Sequence, residues 1–134
     1  MLGKGKMRLL VDTHAFFWWI TDDKKLSTRA RDILSDETNE IMISAVVAWE
    51  LATKVRLSKW PEAVDLAVNI DRYIAANDFT PLPITVIHAR VAGFLAARHR
   101  DPFDRMLAAQ SQVEAISLVS ADSIFKQLGI AVVW

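Results

Sequence analysis

The chain has 134 residues, of which 52% are hydrophobic, and its 16 basic and 16 acidic side chains give a formal net charge of zero. This length predicts one domain with a single sizeable core, and the apolar content favours a compact globule over disorder. The absence of cysteine excludes disulfides and thiolate metal sites, and the neutral balance provides no overall positive field for nucleic acid, although a local basic groove remains open.

The sequence contains no apolar run near the roughly 20 residues needed to cross a bilayer. The apolar run before Asp12 is also too short for a signal peptide, so a cytoplasmic protein is expected. The patterned part of the chain begins at Met7. We therefore expect residues 7–134 to form a single domain and residues 1–6 to be a leader or a cloning-derived segment.

Short apolar runs alternate with helical patterns along the first half of the chain. Ser27 is suited to cap the second helix, and Asp12 or Thr13 the first. The predicted elements of this half are a strand from Arg8 to Val11, a helix from Thr13 to Ile20, a helix from Thr28 to Asp36, a strand from Glu40 to Ser44 and a helix from Ala45 to Leu57.

The second half continues this alternation beyond the break at Trp60-Pro61. Because its two prolines cannot donate to a ladder, the strand between Phe79 and Ile84 should be short or lie at an edge. Around that strand we predict a helix from Asp65 to Ala76, a helix opened by Thr85, a helix after Asp101, a strand from Ile116 to Val119, a helix from Ser123 to Leu128 and a strand from Ile130 to Val133. The alternation predicts an α/β sandwich around a mostly parallel sheet.

The stretch from His99 to Gln110 has a well-defined helix start. Asp101 suits the N-cap and Pro102 the first helical position, where no amide donor is needed. Asp104 then lies one turn in, near the positive end of the helix dipole, which favours its ionised form. The buried face of this helix is predicted to consist of Phe103, Met106, Leu107 and Val113.

Four acids lie at strand ends or early in the following helix. Asp12 and Asp122 directly follow strands, Asp104 opens a helix, and Glu50 is the only ionisable group between Ala45 and Ala52. Ligands of open parallel sheets collect beyond the carboxyl ends of the strands, so these four carboxylates are expected to converge. Held close, they would raise one another's pKa values unless a cation neutralised them.

Hard divalent cations such as Mg²⁺ or Mn²⁺ prefer carboxylate oxygens and keep several waters. A metal held in this way can activate a water and neutralise charge on a phosphoryl oxygen. The constellation therefore suits phosphodiester hydrolysis.

Each acid also has a structural explanation. Asp12 and Asp122 can be helix caps, and Asp101 is read as a cap with a supporting role. Glu50 can pair with Lys54 at i,i+4, but its apolar neighbours favour a functional role. We therefore expect Glu50 to face inward and Lys54 to mark the rim without neutralising it.

The histidines and aromatic side chains carry weaker signals. His14, His88 and His99 have no paired metal-ligand spacing and are read as structural. The aromatic run that includes Trp18 and Trp19 exceeds what a core helix buries, so part of it is expected in a protein interface.

Four segments resemble those of PIN-domain ribonucleases, specifically the toxin halves of VapBC toxin–antitoxin pairs. They are LLVDTHAFFWW, ISAVVAWELATKVRLSKW, DPFDRMLAAQ and LVSAD, and they occur in the family's order from Met7 onward. By this resemblance Asp12, Glu50 and Asp104 match the three core metal-site acids and Asp122 the more variable fourth. Ser120 matches a hydroxyl residue common just before that fourth acid.

The resemblance implies a three-layer α/β/α sandwich and a Mg²⁺- or Mn²⁺-dependent endoribonuclease. It also implies a homodimer that is inhibited by a cognate antitoxin, whose C-terminal segment lies across the toxin. On this interpretation Asp12, Glu50, Asp104 and Asp122 hold the metal or orient water, and the neighbouring residues support the site or the substrate. Asp101 and Ser120 are the expected supporting residues, and Arg100 and Arg105 the expected phosphate contacts.

Two alternatives stay open at the level of sequence. A receiver-like signalling module also groups acids around Mg²⁺, but it needs a phospho-acceptor Asp at the end of a central strand, and the second strand here ends in Ile43-Ser44. A catalytically idle binding domain would use the same acids only as caps, and metal titration would distinguish it.

Overall fold

The computed structural model describes residues 6–96 and 98–134. Within them, the chain forms five short strands: β1 (Arg8–Val11), β2 (Glu40–Ser44), β3 (Thr80–Leu82), β4 (Ser117–Val119) and β5 (Val132–Val133). They form one sheet in the order β3-β2-β1-β4-β5, and each neighbouring pair is parallel. Five of the six residues expected to be a leader, 1–5, lie outside the described residues.

The helices connect successive strands and cover both sides of the sheet, which confirms the predicted α/β/α sandwich. They are α1 (Thr13–Ile20), α2 (Thr28–Ser35), α3 (Ala45–Arg56), α4 (Val64–Val68), α5 (Ile70–Ala76), α6 (Val86–Phe94), α7 (Pro102–Glu114) and α8 (Ile124–Gln127), with a 3₁₀ turn at Pro61–Ala63. No helix in residues 6–96 and 98–134 is both long and apolar enough to cross a membrane.

The central strand β1 is flanked by β2 and β4 and is covered on both faces. Leu9, Leu10 and Val11 are almost completely buried, as expected of a strand in a parallel sheet between helices. Strand β3 is short and is an outer strand of the sheet, as the prolines predict. Asp12 directly follows the central strand β1, so it lies at the middle of the end of the sheet where the strands terminate.

Two sequence expectations about helices are wrong. The predicted helix from Asp65 to Ala76 divides into α4 and α5 at Asn69, whose backbone departs from helical values (φ −114°, ψ 24°) and whose side-chain amide donates to the backbone and side-chain oxygens of Asp65. Val113 is 38% exposed and does not belong to the buried face of α7. Leu107 is buried as predicted, and the small or polar residues that follow it permit close packing on α6. Phe103 and Met106 are partly buried and pack against the core.

The tryptophans expected in an interface pack within the chain and are half-buried. Trp18 lies against Trp134, with ring centroids 5.9 Å apart, and Trp19 Nε1 donates to Asn77 Oδ1 at 3.1 Å. The most exposed large apolar side chains lie elsewhere, on α4 and α6, and include Val86 (86% exposed) and Phe94 (83%). Exposure therefore does not single out the aromatic run as a partner surface.

Alanine substitutions at two glycines test the backbone conformation at each position. Gly129 has a φ of 80° after α8, and Gly93 lies in α6; a Cβ built at either meets no atom within 4 Å. Gly129→Ala should lower the free energy of unfolding by about 1–2 kcal/mol through left-handed strain. Gly93→Ala should raise it by up to about 1 kcal/mol through helix propensity. Urea denaturation of both variants is the measurement, and changes of equal sign would contradict it.

Candidate active site

The four acids predicted to converge line one cavity of about 350 Å³ at the carboxyl ends of the strands, and Asp101, predicted as a cap, lines it with them. Each is positioned differently: one directly follows the central strand, one lies in the second turn of α3, two open α7, and one follows β4. These acids are Asp12, Glu50, Asp101, Asp104 and Asp122. The sheet edge and the starts of two helices thus produce a strongly acidic concavity.

Asp12 is one of the two buried carboxyls of this cavity, with 7% of the residue exposed, against 5% for Glu50. It caps α1, since its Oδ1 accepts from the Ala15 amide at 2.8 Å. Burial raises the pKa of Asp12 to about 6, and repulsion from Glu50 and Asp122 adds to this, against hydrogen bonds from Ser120 and Ala15. Ionised Asp12 is therefore costly in this protein unless a cation lies nearby.

Glu50 is buried and bound through both of its oxygens. Thr13 Oγ1 donates to Oε1 at 2.5 Å, and Lys54 Nζ donates to Oε2 at 2.5 Å. The expectation that Glu50 faces inward is correct, but the expectation that Lys54 only marks the rim is wrong. The i,i+4 spacing on α3 lets the ammonium reach the carboxylate directly, so Lys54 neutralises it.

Asp104 lies in the first turn of α7 and contacts His99. The Oδ2 of Asp104 is 2.8 Å from His99 Nε2. Burial raises the pKa of Asp104, and the charges of Asp101 and Glu50 act in the same direction, whereas the His99 hydrogen bond opposes them. His99, read from the sequence as structural only, therefore supports an acid of the site; no residue spacing in the sequence indicated this contact.

Asp101 is the N-cap of α7, as predicted. Its Oδ1 accepts from the amides of Phe103 and Asp104 at 2.8 and 3.1 Å, while the side chain also lines the cavity. Since Asp12 is itself a cap, a capping role alone does not decide which acids serve as ligands.

Asp122 is exposed at the rim of the cavity. Its Oδ1 accepts a hydrogen bond from the Ile124 amide, and its own amide donates to the buried Ser120 hydroxyl.

The two arginines predicted to contact phosphate differ in position. Arg100 is exposed. Arg105 donates to the backbone carbonyls of Ala92, Gly93, Leu95 and His99 at 2.7–3.3 Å, which binds the end of α6 and the following loop to α7. The phosphate role of both stays a prediction, and the geometry gives Arg105 a structural role that the sequence did not reveal.

The cavity wall also contains residues that sequence reasoning missed as site residues. Thr13 and Lys54 bind Glu50, and His14 and Trp18 line the opening. The His14 ring stacks on Trp60, with centroids 4.6 Å apart. Burial lowers the pKa of His14, and the charge of Lys54 acts in the same direction, so this ring is favoured in its neutral form.

The donor chemistry of the cavity fits a hard divalent cation, because every acid that lines it offers carboxylate oxygens. Across residues 6–96 and 98–134, however, no three His, Asp or Glu side chains are already arranged as a metal site. Two of the acids already have hydrogen-bond partners within the protein: Glu50 contacts Thr13 and Lys54, and Asp104 contacts His99. A cation bound here would compete with these contacts.

Comparison with models of known protein families finds a match over most of the chain. The family model described as the PIN domain matches residues 9–131, which includes all five acids of the cavity. No curated protein matches the sequence significantly.

Solved structures show the same fold at low sequence identity. VapBC2 from Rickettsia felis, bound to a DNA fragment from their promoter, is similar with a TM-score of 0.67 at 19% identity, covering 95% of this chain and 98% of that chain. FitAcB from Neisseria gonorrhoeae gives 0.62 at 18% identity over 92% and 95% of the two chains. FitAB bound to an IR36 DNA fragment gives 0.63 at 17% identity over 93% of each.

The raised pKa of Asp12 predicts a pH dependence of stability. In the folded, metal-free protein Asp12 stays protonated up to about pH 6, whereas it ionises near pH 4 when unfolded, so stability falls as pH rises through this interval. Asp12→Asn keeps the cap without this titration. Its free energy of unfolding, relative to the wild type, should rise by about 3 kcal/mol between pH 4 and pH 7 in EDTA.

Urea denaturation at several pH values is the measurement, and Asp71→Asn, on the exposed surface of α5, is the control. Parallel curves for the wild type and Asp12→Asn would show that ionising Asp12 does not oppose folding.

Proposed function

The chain belongs to the PIN-domain family, and on that premise we propose that it is a metal-dependent endoribonuclease. The observation that carries this proposal is the single cavity lined by five acids, in which burial raises the pKa values of Asp12 and Asp104. Buried carboxyls that are difficult to ionise alone are well suited to share a divalent cation.

Four acids are proposed to hold Mg²⁺ or Mn²⁺: Asp12, Glu50, Asp104 and Asp122. When bound, such a cation supplies activation of a water and neutralisation of charge on a phosphoryl oxygen. The chain itself holds these acids in place: Thr13 orients Glu50, His99 orients Asp104, and the α1 start orients Asp12. Asp101 and Ser120 support the turns beside them. Arg100, which is exposed, and Arg105 are proposed as the phosphate contacts.

We also propose that the protein is the toxin of a toxin–antitoxin pair and forms a homodimer. Support comes from the sequence resemblance to VapBC toxins and from the fold shared with the VapBC2 and FitAB structures. A receiver-like module is not the family that this chain matches. An idle binding domain would leave RNA intact in every metal.

The oligomer is tested separately from the activity. Light scattering on the isolated chain at micromolar concentration should give twice the 15.1 kDa of one chain. Coexpression with the product of a small gene immediately upstream should yield a complex that does not cleave RNA. A monomer that copurifies with no such product would contradict both parts of the proposal.

Two substitutions test the metal acids in an RNA cleavage assay with Mg²⁺ or Mn²⁺. Asp12→Asn and Asp104→Asn each remove a charged oxygen ligand without a change of size, and each should lower the cleavage rate roughly a hundredfold or more. Asp101→Asn is the matched control, because Asn caps α7 about as well as Asp, and it should retain much more activity.

Wild-type rates in both test variants would contradict the metal assignment. A larger loss in Asp101→Asn than in Asp104→Asn would exchange the roles of these two acids. Circular dichroism of each variant ensures that a loss of rate is not a loss of fold.

A further inference from the structure

Lys54 occupies an unusual position for a lysine. Among the described residues that line the acidic cavity it is the only Lys or Arg, facing five carboxyl groups. Its ammonium lies 2.5 Å from Glu50 Oε2, and 28% of its side chain is exposed, against 7% for Glu50. The positive charge is therefore drawn inward, to the place where a cation is expected to be most stable.

Glu50 has no oxygen left without a protein donor. Thr13 Oγ1 donates a hydrogen bond to Oε1 and Lys54 Nζ donates one to Oε2, each at 2.5 Å. A divalent cation that used either oxygen of Glu50 would bring its charge close to the ammonium. Two cations at contact distance from one carboxylate repel each other, so a divalent cation at Glu50 would weaken the contact of the ammonium with Oε2.

We infer that Lys54 is an internal counter-cation, which holds Glu50 in the metal-free protein and is displaced from Oε2 when a divalent cation binds. The inference rests on the proposed metal dependence and makes Lys54 a positioning residue. The ion pair with Lys54 offsets part of the repulsion among the clustered carboxylates in the metal-free protein. The inference also predicts that the lysine weakens metal binding, because the cation must first replace it.

An aromatic ring lies near the ammonium of Lys54. The Trp60 ring centroid lies 6.0 Å from Lys54 Nζ, within the range of a cation–π contact, and that ring also stacks on His14. An ammonium displaced from Oε2 would therefore still have this ring within reach, and the 28% of the Lys54 side chain that is exposed gives it access to solvent.

Calorimetric titration with Mn²⁺ tests the inference directly. Lys54→Met, of similar length but without charge, should bind Mn²⁺ about tenfold more tightly than the wild type. Lys54→Arg, which keeps a cation beside Glu50, should bind within about threefold of the wild type. Lys59→Met is the matched control for net charge, because Lys59 is exposed, and it should change the affinity less than about twofold.

Thermal unfolding provides a readout that is independent of affinity. Lys54→Met and Lys54→Gln should melt at a lower temperature than the wild type in EDTA, because Glu50 loses its partner, and should recover most of that difference in saturating Mn²⁺. If both variants are unfolded in EDTA, recovery of the fold in Mn²⁺ supports the inference. A failure to recover overturns it, since the metal would then not replace the ammonium.

The two proposals fail in different ways. A wild-type chain that binds no Mn²⁺ contradicts the metal dependence and the inference together. A wild type that binds Mn²⁺, with Lys54→Met binding equally or more weakly, overturns the inference alone and makes the ion pair purely structural.

Discussion

Carboxylates held close together repel, and this chain places five of them around one cavity with a single ammonium in its described lining. Burial makes the repulsion stronger, because water that would screen the charges is excluded. Burial also disfavours the ionised form itself, and this is the largest cause of the pKa of Asp12 being raised to about 6 and of the raised pKa of Asp104; repulsion from neighbouring carboxylates contributes less. The site is therefore built around a demand for positive charge that the protein meets only in part.

Hydrogen bonds from neighbouring groups offset part of the repulsion between these carboxylates. Asp12 and Asp101 accept amides at helix starts, and Thr13 and Lys54 share the two oxygens of Glu50. Asp104 depends on His99, whose carbonyl is bound by Arg105. Because Arg105 also binds the end of α6, the packing of α6 on α7 is linked to the geometry of an acid in the cavity. The scaffold and the site are thus coupled through hydrogen bonds that lie outside the acids themselves.

Much of the local structure could be read from the sequence, because its causes are local. Strand β1 and helix α1 begin and end where the apolar pattern and the Asp12 cap place them, and Asp101 caps α7 as expected. The predictions were wrong where the backbone departed from the helical pattern, as at Asn69, or where burial depended on a neighbour, as at Val113. The half-burial of Trp18 likewise depends on Trp134, which is distant in sequence.

The sequence by itself determined the α/β class, the identity of the acids and their positions at strand and helix ends, since periodicity, caps and proline are properties of neighbouring residues. It also supported the resemblance to PIN domains that the family comparison confirms. Only the tertiary structure decided that Lys54 neutralises Glu50, that His99 meets Asp104 and that Arg105 is bound to carbonyls of α6. These contacts depend on side-chain direction and on the packing of α6, α7 and the sheet edge, and the spacing of residues along a chain does not specify either.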